Sequence, residues 1–153
     1  MTAKTFTARY PEENMSKLLN SDADLRHLLE NTKTIALVGA SPKANRPSYG
    51  VMAFLQQSGY RVIPVNPVAA GSTILGETVY GTLAEIDVPI DMVDVFRRAE
   101  DTPPVAEEAV AVGAKSLWLQ LGIASDEAAQ IATKGGLDVV MDRCTAIEVQ
   151  RLL

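Results

Sequence analysis

The chain has a single cysteine, Cys144, and a single histidine, His27. One cysteine excludes an internal disulfide framework and points to a reducing compartment, so the expected location is the cytoplasm. One histidine and one cysteine do not supply a metal-ligand cluster. A serine–histidine–carboxylate triad would need His27, which falls on the polar side of a short helix ahead of the first strand. Basic residues are also in short supply: 14 Lys and Arg stand against 19 Asp and Glu, a net charge of −5. A nucleic-acid footprint needs the opposite balance. No apolar run approaches the ~20 residues of a bilayer span, and Met1-Thr2-Ala3-Lys4-Thr5-Phe6 lacks the apolar centre of an export signal. Internal repeats and low-complexity stretches are missing as well.

What is present is an alternation of apolar runs and amphipathic helices. The 153 residues, 47% apolar, suit one domain. An irregular lead-in is expected over residues 1–20 and a single domain over 21–153. Leu25, Leu28 and Leu29 give one apolar face to a helix over Asp22 to Asn31. Thr34 to Val38 is a continuous apolar run ending at Gly39, the pattern of a strand covered on both faces. A helix over Ser48 to Ser58 follows, then a strand over Arg61 to Val65. Pro64 lacks an N–H for the ladder, so a bulge or an outward-facing N position is expected there. Thr78 to Tyr80 reads as a short edge strand and Leu83 to Ile86 as a helical turn. Asp91 to Phe96 is a strand, and Thr102 with Pro103 reads as N-cap and first helical residue of the next helix, which Gly113 ends. Ser116 to Gln120 is a strand, Ser125 caps a helix, Asp138 to Met141 is the last strand, and Thr145 with Glu148 forms a capping-box pair. The expected fold class is α/β: a Rossmann-like, doubly wound, mostly parallel five-stranded sheet with helices on both faces, three layers in all. Ligands of such sheets bind beyond the carboxyl ends of the strands, at the switch in strand order.

The first βα turn, Gly39 to Gly50, carries the strongest chemical signal. Gly39 lets the backbone turn and approach a ligand closely. Ala40 and Ser41 offer backbone N–H groups, Lys43 and Arg46 offer positive charge, and Ser48 opens a helix whose N-terminus favours a phosphate. The turn is neither G-x-G-x-x-G nor a Walker A loop, because Ser41 holds the second glycine position and no Gly-Lys-Ser/Thr follows. The second strand ends in Asn66-Pro67. NAD sites commonly place a carboxylate there for the ribose hydroxyls, so Asn66 argues against NAD.

These residues, in this order, resemble a known family. Ile35 to Pro42, Val65-Asn66-Pro67, Val93 to Arg97, Trp118 to Gly122 and Met141 to Cys144 resemble the small CoA-binding domain family. That family is similar to the N-terminal domain of the succinyl-CoA synthetase α subunit. The motifs spread over about residues 30–150 and sit at successive strand ends. The resemblance implies that Gly39, Ala40, Ser41 and Arg46 hold a pyrophosphate. It places Val65, Asn66 and Pro67 on the ribose and adenine side. Phe96 and Arg97 border the adenosine pocket, and Gln120, Leu121 and Gly122 border the pantetheine path. The ligand implied is coenzyme A or an acyl-CoA. The synthetase's phosphohistidine belongs to a second domain with no counterpart here, so its ligase chemistry does not carry over.

Cys144 lies at a strand's carboxyl end, beside Arg143 and ahead of a helix, where a thiolate is stabilised. A redox role or a mixed disulfide with the CoA thiol fits that position. A small buried apolar group fits it too, and free cysteines mostly take that form. Asp91 and Asp94 do not read as an acid–base pair, being three apart in a strand and on opposite faces. Trp118 and Phe96 suit strand core or pocket wall equally. The reading is therefore a non-catalytic CoA or acyl-CoA binding module. Its alternatives are an NAD(P)-binding oxidoreductase or redox sensor, and an interaction subunit of an acyl-metabolism enzyme. The expected partners are the small-molecule ligand and either a second copy of the chain or an enzyme, with no nucleic acid and no membrane.

Overall fold

A computed structural model describes residues 17–153 of the chain. Five parallel strands form its centre: β1 (Thr34–Val38), β2 (Arg61–Val65), β5 (Met92–Val95), β6 (Ser116–Leu119) and β7 (Asp138–Val140). Their spatial order is β2-β1-β5-β6-β7, a doubly wound arrangement whose order reverses between β1 and β5. Helices α1 (Asp22–Glu30), α2 (Pro47–Gln57) and α5 (Thr145–Leu152) lie on one face, and α3 (Thr102–Ala111) and α4 (Asp126–Lys134) on the other. The expected three-layer α/β class is what the chain adopts.

Each strand alternates its side chains between two cores. Ile35, Leu37, Met92, Trp118 and Val140 pack under α1, α2 and α5. Ala36, Val38, Val93, Val95, Leu117 and Leu119 pack under α3 and α4. Both faces are covered, which explains runs that are apolar at every position. Trp118 is fully buried, and its indole N–H donates to the Arg143 carbonyl at 2.7 Å.

At Pro64 the expected outward-facing N position is the one adopted, in regular register opposite Leu37 and with no bulge. β2 is an edge strand, and the Pro64 carbonyl accepts from Tyr80 N on the outer side; the missing N–H therefore faces away from β1. The expected strand over Thr78 to Tyr80 is split. Glu77–Thr78 (β4) pairs antiparallel with Thr73–Ile74 (β3), while Tyr80 makes an isolated parallel bridge to Val65. The lead-in expected over 1–20 lies outside the described residues as far as 16. Residues 17–20 form no helix or strand, and Leu18 makes one isolated parallel bridge to Val139 at the outer edge of β7.

Two helix starts are also corrected. Thr102 is not the N-cap of α3. A 3-10 turn, Ala99–Asp101, runs straight into the helix, so Asp101 takes the cap position and the Thr102 hydroxyl donates to the Ala99 carbonyl at 2.7 Å. The Thr145–Glu148 capping box does not form. Cys144 is the N-cap of α5 and makes no side-chain cap bond. The Glu148 carboxylate instead accepts from Arg151 at 2.6 Å and faces Arg143 at 3.5 Å.

Candidate functional site

The switch between β1 and β5 opens into a cleft of about 380 Å³, lined by Gly39, Ser41, Arg46, Pro47, Ser48, Phe96, Arg97, Arg98 and Ile123. Gly39 makes it possible. Its φ is +89°, and an added Cβ would overlap the Phe96 carbonyl oxygen, so no other residue fits between the ends of β1 and β5. Pro47 begins α2 with its φ pre-set for a helix start and no N–H to satisfy. Ser48 is therefore the second helical residue, one later than expected, and is buried against the cleft.

The polar groups at this cleft are largely uncommitted. Among the described residues, no protein acceptor takes the N–H of Ser41 or of Ser48. The Ser41 hydroxyl accepts from Lys43 N at 3.1 Å, which shapes the loop. Arg46 and Arg97 have no carboxylate partner among the described residues, whereas Arg98 pairs with Asp101 at 3.2 Å and Glu100 at 3.6 Å. Two unpaired guanidinium groups beside a helix N-terminus suit an anion with more than one charged group.

Of the residues singled out from sequence, Gly39, Ser41, Arg46, Ser48, Phe96 and Arg97 are brought together here. Others lie elsewhere. Ala40 is buried, and its N–H approaches the Val65 carbonyl at 3.4 Å, as does Gly39 N at 2.9 Å, so it is turned from the cleft. Lys43 is exposed at the turn's outer side. Val65 is core. Asn66 holds the turn together: its Nδ2 donates to the Ala40 carbonyl at 2.8 Å, and its Oδ1 accepts from Val68 N at 2.9 Å. Pro67 opens the short exposed turn that follows.

Gly122 and Cys144 mark a second region, at the carboxyl ends of β6 and β7. A cleft of about 420 Å³ is lined there by Leu121, Met141, Arg143, Cys144, Ile147 and Glu148, among others. Cys144 is half-buried on its wall, not enclosed in the core. Gly122 N donates to Asp142 Oδ1, tying the β6–α4 loop to the β7–α5 turn. Asp142 holds φ +59°, a left-handed conformation sustained by that bond and by its own N–H to Ile123 O at 3.0 Å. Arg143 donates to Asn20 Oδ1 at 2.9 Å.

Gln120 is only 3% exposed and faces inward. Its Nε2 donates to Asp94 Oδ1 at 2.7 Å and to Thr145 Oγ1 at 2.9 Å, and the Thr145 hydroxyl lies 2.9 Å from Asp94 Oδ2. Asp94 is wholly buried, and removal from water pushes its carboxyl up to about 7, against the lowering effect of the Gln120 and Thr145 bonds. Sequence reasoning missed this triangle, together with the cleft-lining Arg98 and Ile123. A charged residue inside an apolar strand, at Asp94, was the available signal.

The remaining candidates lie at the opposite, amino end of the sheet. Asp91 precedes β5 and accepts from Lys33 N at 2.9 Å and Thr34 N at 3.0 Å. Burial pushes its carboxyl up, but these bonds and Lys115 prevail and hold it below the usual range. His27 is exposed and within 3.4 Å of the Asn31 amide. No group of three or more His, Cys, Asp or Glu side chains among the described residues could hold a metal ion. No described helix is long and apolar enough to cross a membrane.

Comparisons with known proteins identify the family and the fold. A family model described as CoA binding domain matches residues 33–150, and the chain belongs to that family. It is 41% identical over 127 residues to the uncharacterized protein YneT of Bacillus subtilis, covering 83% of this chain and 93% of that one. It is 34% identical over 91 residues to the α subunit of acetate–CoA ligase (ADP-forming) I of Pyrococcus furiosus, but that match spans only 20% of the ligase subunit and 57% of this chain. Among solved structures, cell-free ID.343 from Thermus thermophilus superposes with a TM-score of 0.84 at 36% identity, covering 88% of this chain and all of that one. A hypothetical protein from Pyrococcus horikoshii gives 0.82 at 36% identity over 96% of this chain and 99% of that one.

Proposed function

We propose that this member of the CoA-binding domain family binds coenzyme A or an acyl-CoA in the β1/β5 cleft and catalyses no reaction by itself. One observation carries the reading: at a glycine turn and a helix start, the N–H groups of Ser41 and Ser48 have no protein acceptor among the described residues, and Arg46 and Arg97 beside them have no carboxylate partner there. In this reading Gly39, Ser41, Arg46 and Ser48 hold the pyrophosphate, and Phe96 borders the adenosine with Arg97 beside a phosphate. Lys43 adds charge from the loop, and Asn66 with Pro67 shapes the ribose side. The β6–α4 loop at Leu121 and Gly122 borders the pantetheine arm, whose thiol end reaches toward Cys144. Residues 21–153 act as one binding unit in the cytoplasm.

The match to a ligase subunit supports an enzyme of acyl metabolism as partner. An NAD(P) oxidoreductase is less well supported, because both polar groups of Asn66 hold the turn. Calorimetry on the purified chain is the test. Saturable CoA binding, weakened tenfold or more by Arg46→Ala and stronger than NADH binding, is expected. Absence of binding by CoA and acetyl-CoA at millimolar concentration would overturn the reading. Preference for NADH would shift it to the oxidoreductase alternative.

A further inference from the structure

The Asp94–Gln120–Thr145 triangle is not used by the binding site, yet it joins three elements at the carboxyl end of the sheet. Asp94 is on β5, two residues before Phe96 at the first cleft. Gln120 begins the loop after β6. Thr145 is the first residue of α5, next to Cys144 and one turn before Glu148, both on the second cleft. All three side chains are buried. We propose that this triangle is a proton-gated latch on the start of α5: neutral Asp94 holds the helix start closed, and ionised Asp94 slackens it.

The hydrogen-bond pattern differs between the two states. With Asp94 ionised, its two oxygens accept from Gln120 Nε2 and from the Thr145 hydroxyl. With Asp94 neutral, its own O–H donates to Thr145 Oγ1 and Gln120 continues to donate, while the threonine proton gives up its acceptor in the triangle. Against that one bond stands the charge, which the ionised form buries without a countercharge. β1 and β6 present Leu37 and Trp118 beside Asp94. The one titratable side chain of α2 is Tyr49. The charged groups of α5 and the turn before it, Arg143, Glu148 and Arg151, are paired among themselves and with Asp22; Cys144 is the remaining titratable group there. Among the described residues, no lysine, arginine or histidine neutralises Asp94.

The sign follows by linkage. An exposed aspartate loses its proton near 4, and buried Asp94 does so at about 7. Between those values, opening the helix start releases a proton, so each pH unit favours the open form by up to about tenfold. Below both values and above both values the opening is independent of pH.

Amide hydrogen exchange of the full chain at pH 5, 6, 7 and 8, corrected for base catalysis, tests the latch without any ligand, separately from the test of CoA binding. Protection at Glu148 and Val149 is expected to be lower than at Ile35 and Val93. It should fall at least tenfold from pH 5 to pH 7 and level off above 7, and Asp94→Asn should abolish the fall. A flat wild-type profile, a fall that persists in Asp94→Asn, or protection equal to that of Ile35 and Val93 at every pH would overturn the proposal. Should Asp94→Asn not fold, the Asp94 carboxyl carbon shift in the wild-type protein decides. A midpoint near 7 supports the latch, and one near 4 overturns it.

Discussion

The two clefts at the carboxyl edge of the sheet are alike in size and opposite in chemistry. At β6, β7 and α5 the polar groups are already spoken for. Arg143 is held by Asn20 and Glu148, Glu148 by Arg151, Asp142 by Gly122, and Gln120 by Asp94 and Thr145. At β1 and β5 the N–H groups of Ser41 and Ser48 and the guanidinium groups of Arg46 and Arg97 find no protein partner among the described residues. Folding leaves few polar groups unpaired in a recess unless something else pairs them. The contrast separates a region that holds the fold together from one whose free donors suit the anion of the proposed ligand.

The largest break in that contrast comes from Gly39→Val. A branched side chain at φ +89° is strained, and its Cβ would displace the Phe96 carbonyl. A loss of about 3 kcal/mol in denaturant unfolding is expected, together with loss of CoA binding. Retention of stability would mean that the ends of β1 and β5 move apart freely, and the cleft would no longer count as pre-formed.

The committed region answers to pH. Because the folded carboxyl of Asp94 titrates at about 7 and the unfolded one near 4, the folded state binds the extra proton between them. Stability is then fully present below about pH 4, declines by up to about 1.4 kcal/mol per pH unit, and stays at its lower level above 7. Unfolding titrations at pH 5, 6 and 7 should show the decline in wild type and not in Asp94→Asn. The partly exposed cleft at β1 and β5 contributes nothing comparable, so Arg46→Ala should leave the slope unchanged.

The uncommitted region answers to charge. Arg46→Ala or Arg97→Ala should each weaken CoA binding by about 1.5–3 kcal/mol, the range of hydrogen bonds to charged groups, with stability changed by less than about 0.5 kcal/mol. A stability loss as large as the binding loss would show that these arginines serve the fold, and the contrast would fail.

The same distinction marks what could be read from the chain beforehand. Strands and their order of appearance follow from apolar runs, and the Gly39 turn from its position at the end of one; both signals are local. Helix starts at Thr102 and Thr145 were misassigned because a capping hydroxyl was claimed by something else. For Thr102 it was a preceding 3-10 turn, and for Thr145 it was Asp94, 51 residues away. Asp94 itself finds Gln120 at a separation of 26 residues, beyond the reach of any periodicity. The arginines of the β1/β5 cleft are legible as charges, but only the fold shows that Arg46 and Arg97 have no carboxylate partner among the described residues while Arg98 has two.

That last difference allows the contrast to be tested within a single cleft. Arg98 lines the same wall as Arg97, yet its charge is offset by Asp101 and Glu100. All three side chains are exposed enough for solvent to screen them, and exposed ion pairs contribute little. Removing Arg98 takes away a donor that is already occupied and leaves two solvated carboxylates near the mouth of the site. Arg98→Ala should therefore weaken CoA binding by no more than about twofold, under 0.5 kcal/mol, and that residue should show a stronger salt dependence than a contact loss. A calorimetric loss at Arg98 equal to that at Arg97 would mean that position on the cleft wall, and not freedom from a protein partner, decides which groups meet the ligand.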